Sequence, residues 1–140
     1  MTQRTLQKTI FLRASRADVW AYLTEPDKLA KWFHASKSTL QAGGKLALYG
    51  AKSGECVIWG DVLVVRPPEY LEYTFTVKPM GEAKSTVKWT LGDVPGGTQL
   101  SLVHEGLPTS AEAFDLILAL DKGWDEHFMQ MREALHPVPA

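Results

Sequence analysis

Cysteine occurs once in this chain, at position 56, asparagine does not occur at all, and no apolar stretch approaches the about 18 residues needed to cross a bilayer. A lone Cys56 excludes an intramolecular disulfide and a cysteine-built metal site, and fits a reducing compartment. Without asparagine there is neither a glycosylation sequon nor an Asn-Gly hairpin, so turns must rest on Gly, Pro and Asp. An excess of charge is missing too: 15 Lys and Arg stand against 16 Asp and Glu, and the basic residues are scattered, which argues against nucleic acid as a partner. The first residues, Met1 to Thr5, lead into a strand pattern with no apolar signal-peptide core. With no membrane span and no leader, a cytoplasmic location is the expectation.

What is present is ordinary for a folded domain. Hydrophobic residues make up 45% and charged residues 22%, and 140 residues suffice for one substantial core, so a single domain over 1–140 is expected. Residues Arg4 to Leu12 alternate, with Leu6, Ile10 and Leu12 on one side, and predict a first strand. Ser15 then stands where a helix N-cap belongs. Val19, Trp20 and Leu23 recur at helical spacing, Pro26 and Asp27 interrupt, and Leu29, Trp32 and Phe33 resume, so two short helices in tandem follow, ending near His34.

Turn signals then come at short intervals: Gly43-Gly44, Gly50 to Gly54, Pro67-Pro68, Pro79-Met80-Gly81 and Pro95-Gly96-Gly97. Between them the pattern predicts strands at Ala35–Leu40, Lys45–Tyr49, Glu55–Val65, Tyr70–Val77, Ser85–Leu91 and Thr98–Glu105, joined as an antiparallel meander. Leu71, Tyr73, Phe75 and Val77, then Val87, Trp89 and Leu91, then Leu100, Leu102 and His104 mark one apolar sheet face. A helix capped by Ser110 and running to about Leu135, stopped by Pro137 and Pro139, is the element long enough to cover it, with Phe114, Ile117, Leu118, Trp124, Phe128, Met131 and Leu135 as its stripe.

This order of elements resembles the helix-grip fold of the START-like or SRPBCC superfamily: an α+β domain whose antiparallel sheet of about seven strands wraps a long C-terminal helix, with two short helices after the first strand. Ala14-Ser15-Arg16-Ala17-Asp18-Val19-Trp20, Leu23-Thr24-Glu25-Pro26 and Leu29-Ala30-Lys31-Trp32-Phe33 are similar to the opening of the bacterial single-domain group related to the activator of heat-shock protein 90 ATPase. Gly60-Asp61-Val62, Pro67-Pro68, Leu71 to Thr74, Gly97 to Gly106 and Gly123-Trp124 extend the likeness over nearly the whole chain. The superfamily hosts lipid carriers, polyketide cyclases, receptors and cochaperones on one scaffold, so the resemblance implies a fold more sharply than an activity. The eukaryotic cochaperone also carries a separate N-terminal domain that makes much of its chaperone contact, whereas this chain opens at the first strand of the helix-grip unit. Chaperone activation is therefore not expected to carry over.

A sheet gripped by a helix leaves room for a cavity, and the facing positions would be Tyr73, Phe75, Trp89, Trp59 or its neighbour, Phe114, Leu118 and Trp124, with Trp32 and Phe33 as rim or wall residues. Such walls suit a small hydrophobic ligand, a lipid, polyketide-like or aromatic molecule; the alternative is that these side chains simply fill the core. His104 shares the helix-facing side and is either a ligand contact or base, or a satisfied core histidine. Asp121, Asp125, Glu126 and His127 read as a solvated helix face, and neither metal nor cofactor is expected. The reading is binding without transformation and no catalytic residue. The alternatives are a cyclase or hydratase using His104, Tyr73 and Asp61 or Glu72, and an interaction module docking on a chaperone or on a second copy as a homodimer.

Overall fold

The computed structural model describes residues 4–50, 54–80 and 83–136. Expectations placed on Met1 to Gln3, on the tip of the Gly50–Gly54 turn, on Gly81, and on Pro137 and Pro139 lie outside the described residues. Six strands form one antiparallel sheet: β1 (Arg4–Leu12), β2 (Lys45–Tyr49), β3 (Cys56–Arg66), β4 (Tyr70–Val77), β5 (Ser85–Val94) and β6 (Gly97–Leu107), in the spatial order β1-β6-β5-β4-β3-β2. The helices are α1 (Arg16–Thr24), α2 (Pro26–Trp32) and α3 (Phe114–Leu135). This is the expected helix-grip α+β architecture with one strand fewer.

The missing strand is Ala35–Leu40, which makes only an isolated bridge between Ala35 and Tyr49. The Ser36 hydroxyl donates to the Ser38 carbonyl at 2.9 Å, a local bond that draws the backbone into a turn. Leu40 N–H donates to the Thr24 carbonyl at 3.0 Å, tying this segment to the end of α1.

Local chemistry sets the helix ends. Ser15 Oγ accepts from Asp18 N–H at 3.1 Å at the start of α1, and Pro26 occupies the first turn of α2, where its missing N–H costs nothing. Ser110 does not cap α3: it precedes a short 3₁₀ turn, Ala111–Ala113, and α3 begins at Phe114. The helix is therefore about 33 Å long rather than about 39 Å. Lys8 of β1 clamps it, with Nζ 2.7 Å from Asp121 Oδ1 and 2.8 Å from Asp125 Oδ1. Those two carboxylates, read from sequence as a solvated face, tie the sheet edge to the helix.

One close approach fixes how β3 crosses β4. A Cβ at Gly60 would lie 2.2 Å from the Thr74 carbonyl oxygen, while Asp61 N–H donates to Thr74 Oγ1 at 2.8 Å. Only glycine lets the strands meet here. Gly60→Ala is expected to cost roughly 1–3 kcal/mol through forced backbone displacement, read as a lower urea midpoint. An unchanged midpoint would count against this account of the crossing.

Candidate functional site

Helix phase decides which expected residues reach the sheet. With about 100° per residue and Trp124 as reference, Ile117, Phe128 and Met131 lie within about 40° of it, and all four are buried. Phe114 and Leu118 lie about 80° and 120° to one side, and they are 48% and 52% exposed. Neither belongs to a wall against the sheet; Phe114 instead packs under the Arg4 guanidinium, 5.0 Å from ring centroid to Cζ. The opposite flank carries Leu120, Gly123 and His127. His127, expected in solvent, is therefore turned toward the end of α2.

Strand alternation makes the second correction. Trp59 points to the outer face and is 38% exposed, beside Lys45, Gly60, Asp61 and Thr74, whereas its neighbour Ile58 faces the helix. Asp61 and Glu72, the carboxylates of the enzymatic alternative, are also on that outer face. Asp61 accepts from Lys45 Nζ at 2.7 Å, and this bond holds its carboxyl below the usual range. Glu72 accepts from the Tyr70 hydroxyl at 2.5 Å. Burial, reinforced by that carboxylate, pushes the Tyr70 phenol up to about 12.

Tyr73, Phe75, Trp89, His104 and Trp124 do come together, but most of them fill the space between sheet and helix. Register places His104 beside Val87 and Val87 beside Tyr73 across β6, β5 and β4. Trp89 Nε1–H donates to the Tyr73 hydroxyl at 3.0 Å, and burial raises the Tyr73 phenol further. Trp124 Nε1–H donates to His104 Nδ1 at 3.1 Å. His104 Nε2 must then carry the proton, and it donates to Ser85 Oγ at 2.7 Å; the Ser85 hydroxyl in turn donates to the Phe75 carbonyl at 2.7 Å. Both ring nitrogens are satisfied and the ring is wholly buried, so burial pushes its pKa down to about 3. A neutral imidazole with no free nitrogen is no base for a substrate. His104 is the satisfied core histidine.

Trp32 is neither at the rim nor in the wall of the open space. It is buried, donates Nε1–H to the Tyr22 carbonyl at 2.6 Å, stacks on Phe33 at 5.0 Å and meets Trp89 edge-on at 5.9 Å. Trp32, Trp89, Tyr73 and His104 thus form the packed layer behind the open space.

That space is a cleft of about 240 Å³ at one end of the sheet–helix gap. Val57 and Ile58 of β3, Phe75 and Val77 of β4, Phe33 and His34 after α2, and Ala119, Leu120, Gly123, Trp124 and His127 of α3 line it. A Cβ at Gly123 would meet no atom within 4 Å, so the helix is bare where it borders the opening. At the mouth the His34 and His127 rings stand 5.4 Å apart, and Phe33 meets His127 edge-on at 4.9 Å. His127 Nδ1–H donates to the Trp32 carbonyl at 3.0 Å. Burial lowers the pKa of both imidazoles, and for His34 the neighbouring His127 adds to it. Phe33, Phe75 and Trp124 are thus the expected residues that reach the cleft. His34 and His127 were missed because each sits off an apolar stripe, and only α3's flank and the chain's path after α2 bring them together.

Three larger hollows, of about 490, 560 and 420 Å³, lie at the β5–β6 turn near Phe11 and His136, on the outer face beside Trp59, and between Met80 and the start of α3. The first is bordered by the turn Val94 to Gly97, the second by Lys45, Asp61 and Lys84, and the third by Pro108, Glu112 and Asp115, so none has the aromatic walls of the cleft. Among the described residues no three His, Cys, Asp or Glu side chains gather as a metal site, and no helix is long and apolar enough to cross a membrane.

Comparison with known proteins agrees with this architecture. Protein MLL2253 from Mesorhizobium loti superposes with a TM-score of 0.84 at 22% identity, over 98% of this chain and 100% of that one. CalU16 from Micromonospora echinospora gives 0.78 at 26% identity, over 96% of this chain and 78% of its own. The Aha1 dimer from Colwellia psychrerythraea gives 0.78 at 16% identity, over 96% and 97%. No protein of curated function matches the sequence. Residues 13–136 match the family described as Activator of Hsp90 ATPase homolog 1-like protein, and the chain belongs to that family.

Proposed function

We propose that the protein binds a small aromatic molecule in the cleft between β3, β4 and α3, without transforming it. The observation that carries this reading is the bare helix at Gly123 facing an aromatic wall of Phe33, Phe75 and Trp124. Glycine inside a helix costs about 1 kcal/mol relative to alanine, and here the absent side chain leaves open space. At about 240 Å³ the cleft lies below the roughly 300–1,000 Å³ of sites for drug-sized ligands, so one or two fused rings fit it better than a long lipid chain. The sealed His104 and the outward placement of Asp61 and Glu72 support this reading, since they take those residues of the enzymatic alternative out of the cleft.

The test is to fill the cleft. Naphthalene should bind the wild-type protein with one-site, saturable behaviour in calorimetry. Gly123→Leu should raise the unfolding free energy by about 0.5–1 kcal/mol, since a helix former replaces glycine in unoccupied space, while naphthalene binding is lost. Binding that survives in the stable Gly123→Leu protein, or no binding to the wild type, would overturn the reading.

A further inference from the structure

Almost every surface of the cleft is carbon. Phe33, Ile58, Phe75, Val77 and Leu120 offer no polar side-chain atom, and the Trp124 N–H is already donated to His104. The side-chain hydrogen-bonding capacity of the lining is therefore concentrated in two imidazoles. His127 uses Nδ1–H on the Trp32 carbonyl, which leaves Nε2 as an acceptor. Neither Nε2 of His127 nor either nitrogen of His34 has a hydrogen-bond partner among the described residues, and none of these atoms is among the buried unpartnered ones, so each touches open space.

We propose that His34 and His127 are a paired-imidazole anchor for the hydroxyl of a phenol or enol whose ring lies in the cleft. This rests on the cleft being a binding site and names the class of its ligand. A hydroxyl both donates and accepts, so a single group satisfies the pair: it donates its proton to His127 Nε2 and accepts N–H from His34. A ketone or ether oxygen accepts only and leaves His127 without a donor. A carboxylate also only accepts, and it would need an imidazolium that two facing, partly buried rings disfavour. The walls beyond the pair are aromatic and aliphatic, which places the ring of the ligand inward and its hydroxyl at the mouth.

Three probes of nearly one shape separate the possibilities: naphthalene, 2-naphthol and 2-methoxynaphthalene, each titrated calorimetrically into the full chain. The expected result is binding of 2-naphthol about 5- to 10-fold tighter than the other two. His127→Phe and His34→Phe, which keep a ring at the mouth, should each lose the preference for 2-naphthol over naphthalene, the two probes being compared within the same variant. Equal affinities for naphthalene and 2-naphthol in the wild type overturn the anchor while leaving the cleft reading intact, as does a preference retained in both variants. Failure of all three probes to bind overturns both. Should either variant not fold, the difference between 2-naphthol and 2-methoxynaphthalene on the wild-type protein still decides.

Discussion

Trp124→Ala is expected to lower the unfolding free energy by roughly 4–8 kcal/mol, as measured by urea denaturation at neutral pH. Two effects add. Emptying the volume of a buried tryptophan costs about 3–5 kcal/mol, and Trp124 is buried in contact distance of Phe33, Phe75, Trp89 and Phe128, with centroids between 5.3 and 6.0 Å. The truncation also leaves His104 Nδ1 without its donor, and an orphaned buried acceptor costs about 1–3 kcal/mol. Domains of this size have about 5–15 kcal/mol in total, so much of the stability would go. Trp124→Phe separates the terms, restoring most of the ring but not the hydrogen bond, and should fall about 1–3 kcal/mol below wild type. A loss under 1 kcal/mol for Trp124→Ala would mean that the helix does not depend on this ring for its seat on the sheet.

The same residue illustrates why the fold was legible in the sequence and the site less so. Period-two alternation in β4, β5 and β6 identified Tyr73, Phe75, Trp89 and His104 as one face, because a strand offers only two directions and one of them is buried. On α3 the stripe was seen, but its width was overestimated: Phe114 and Leu118 are apolar and at helical spacing from Trp124, yet they fall on the flank turned away from β3 and β4. Apolarity reports that a side chain prefers burial and not which neighbour is present to bury it. Trp59 was misplaced for a simpler reason, since a one-residue shift of phase exchanges the two faces of a strand.

The mouth of the cleft was the least legible part. His34 follows α2 and His127 lies on α3, and nothing in either local sequence predicts that the rings stand 5.4 Å apart. Their meeting depends on the seating of Trp32, whose indole reaches the Tyr22 carbonyl and whose own carbonyl takes the His127 proton. A tertiary hydrogen bond between segments 95 residues apart carries no local signature. What the sequence did carry was the cluster Trp32-Phe33 at a helix end, and Phe33 does border the cleft that the predicted cavity contracts to.

His104 should also make the fold sensitive to acid well above the pH at which carboxylates titrate. An unfolded histidine takes up a proton near pH 6.5, whereas in the folded protein burial holds this imidazole neutral down to about 3. Between those values the unfolded state binds the extra proton, so stability falls as the pH is lowered, by about 1.4 kcal/mol per unit, and the loss levels off only below the folded value. From about pH 6.5 to 4.5 this amounts to roughly 2 kcal/mol, most of it above the ordinary Asp and Glu values of about 3.9 and 4.3. His34 and His127, also lowered by burial, add in the same direction. The discriminating variant is His104→Gln, which keeps a neutral N–H donor toward Ser85 while removing the titration. It should be less stable than wild type at pH 7, because Trp124 Nε1–H loses its acceptor, yet its stability should fall about 1.4 kcal/mol per unit less steeply between pH 6.5 and 4.5. Urea titrations across that range measure both slopes. Parallel slopes in the two proteins would show that His104 can be protonated in the folded state, which the closed relay from Trp124 through Ser85 to the Phe75 carbonyl does not allow.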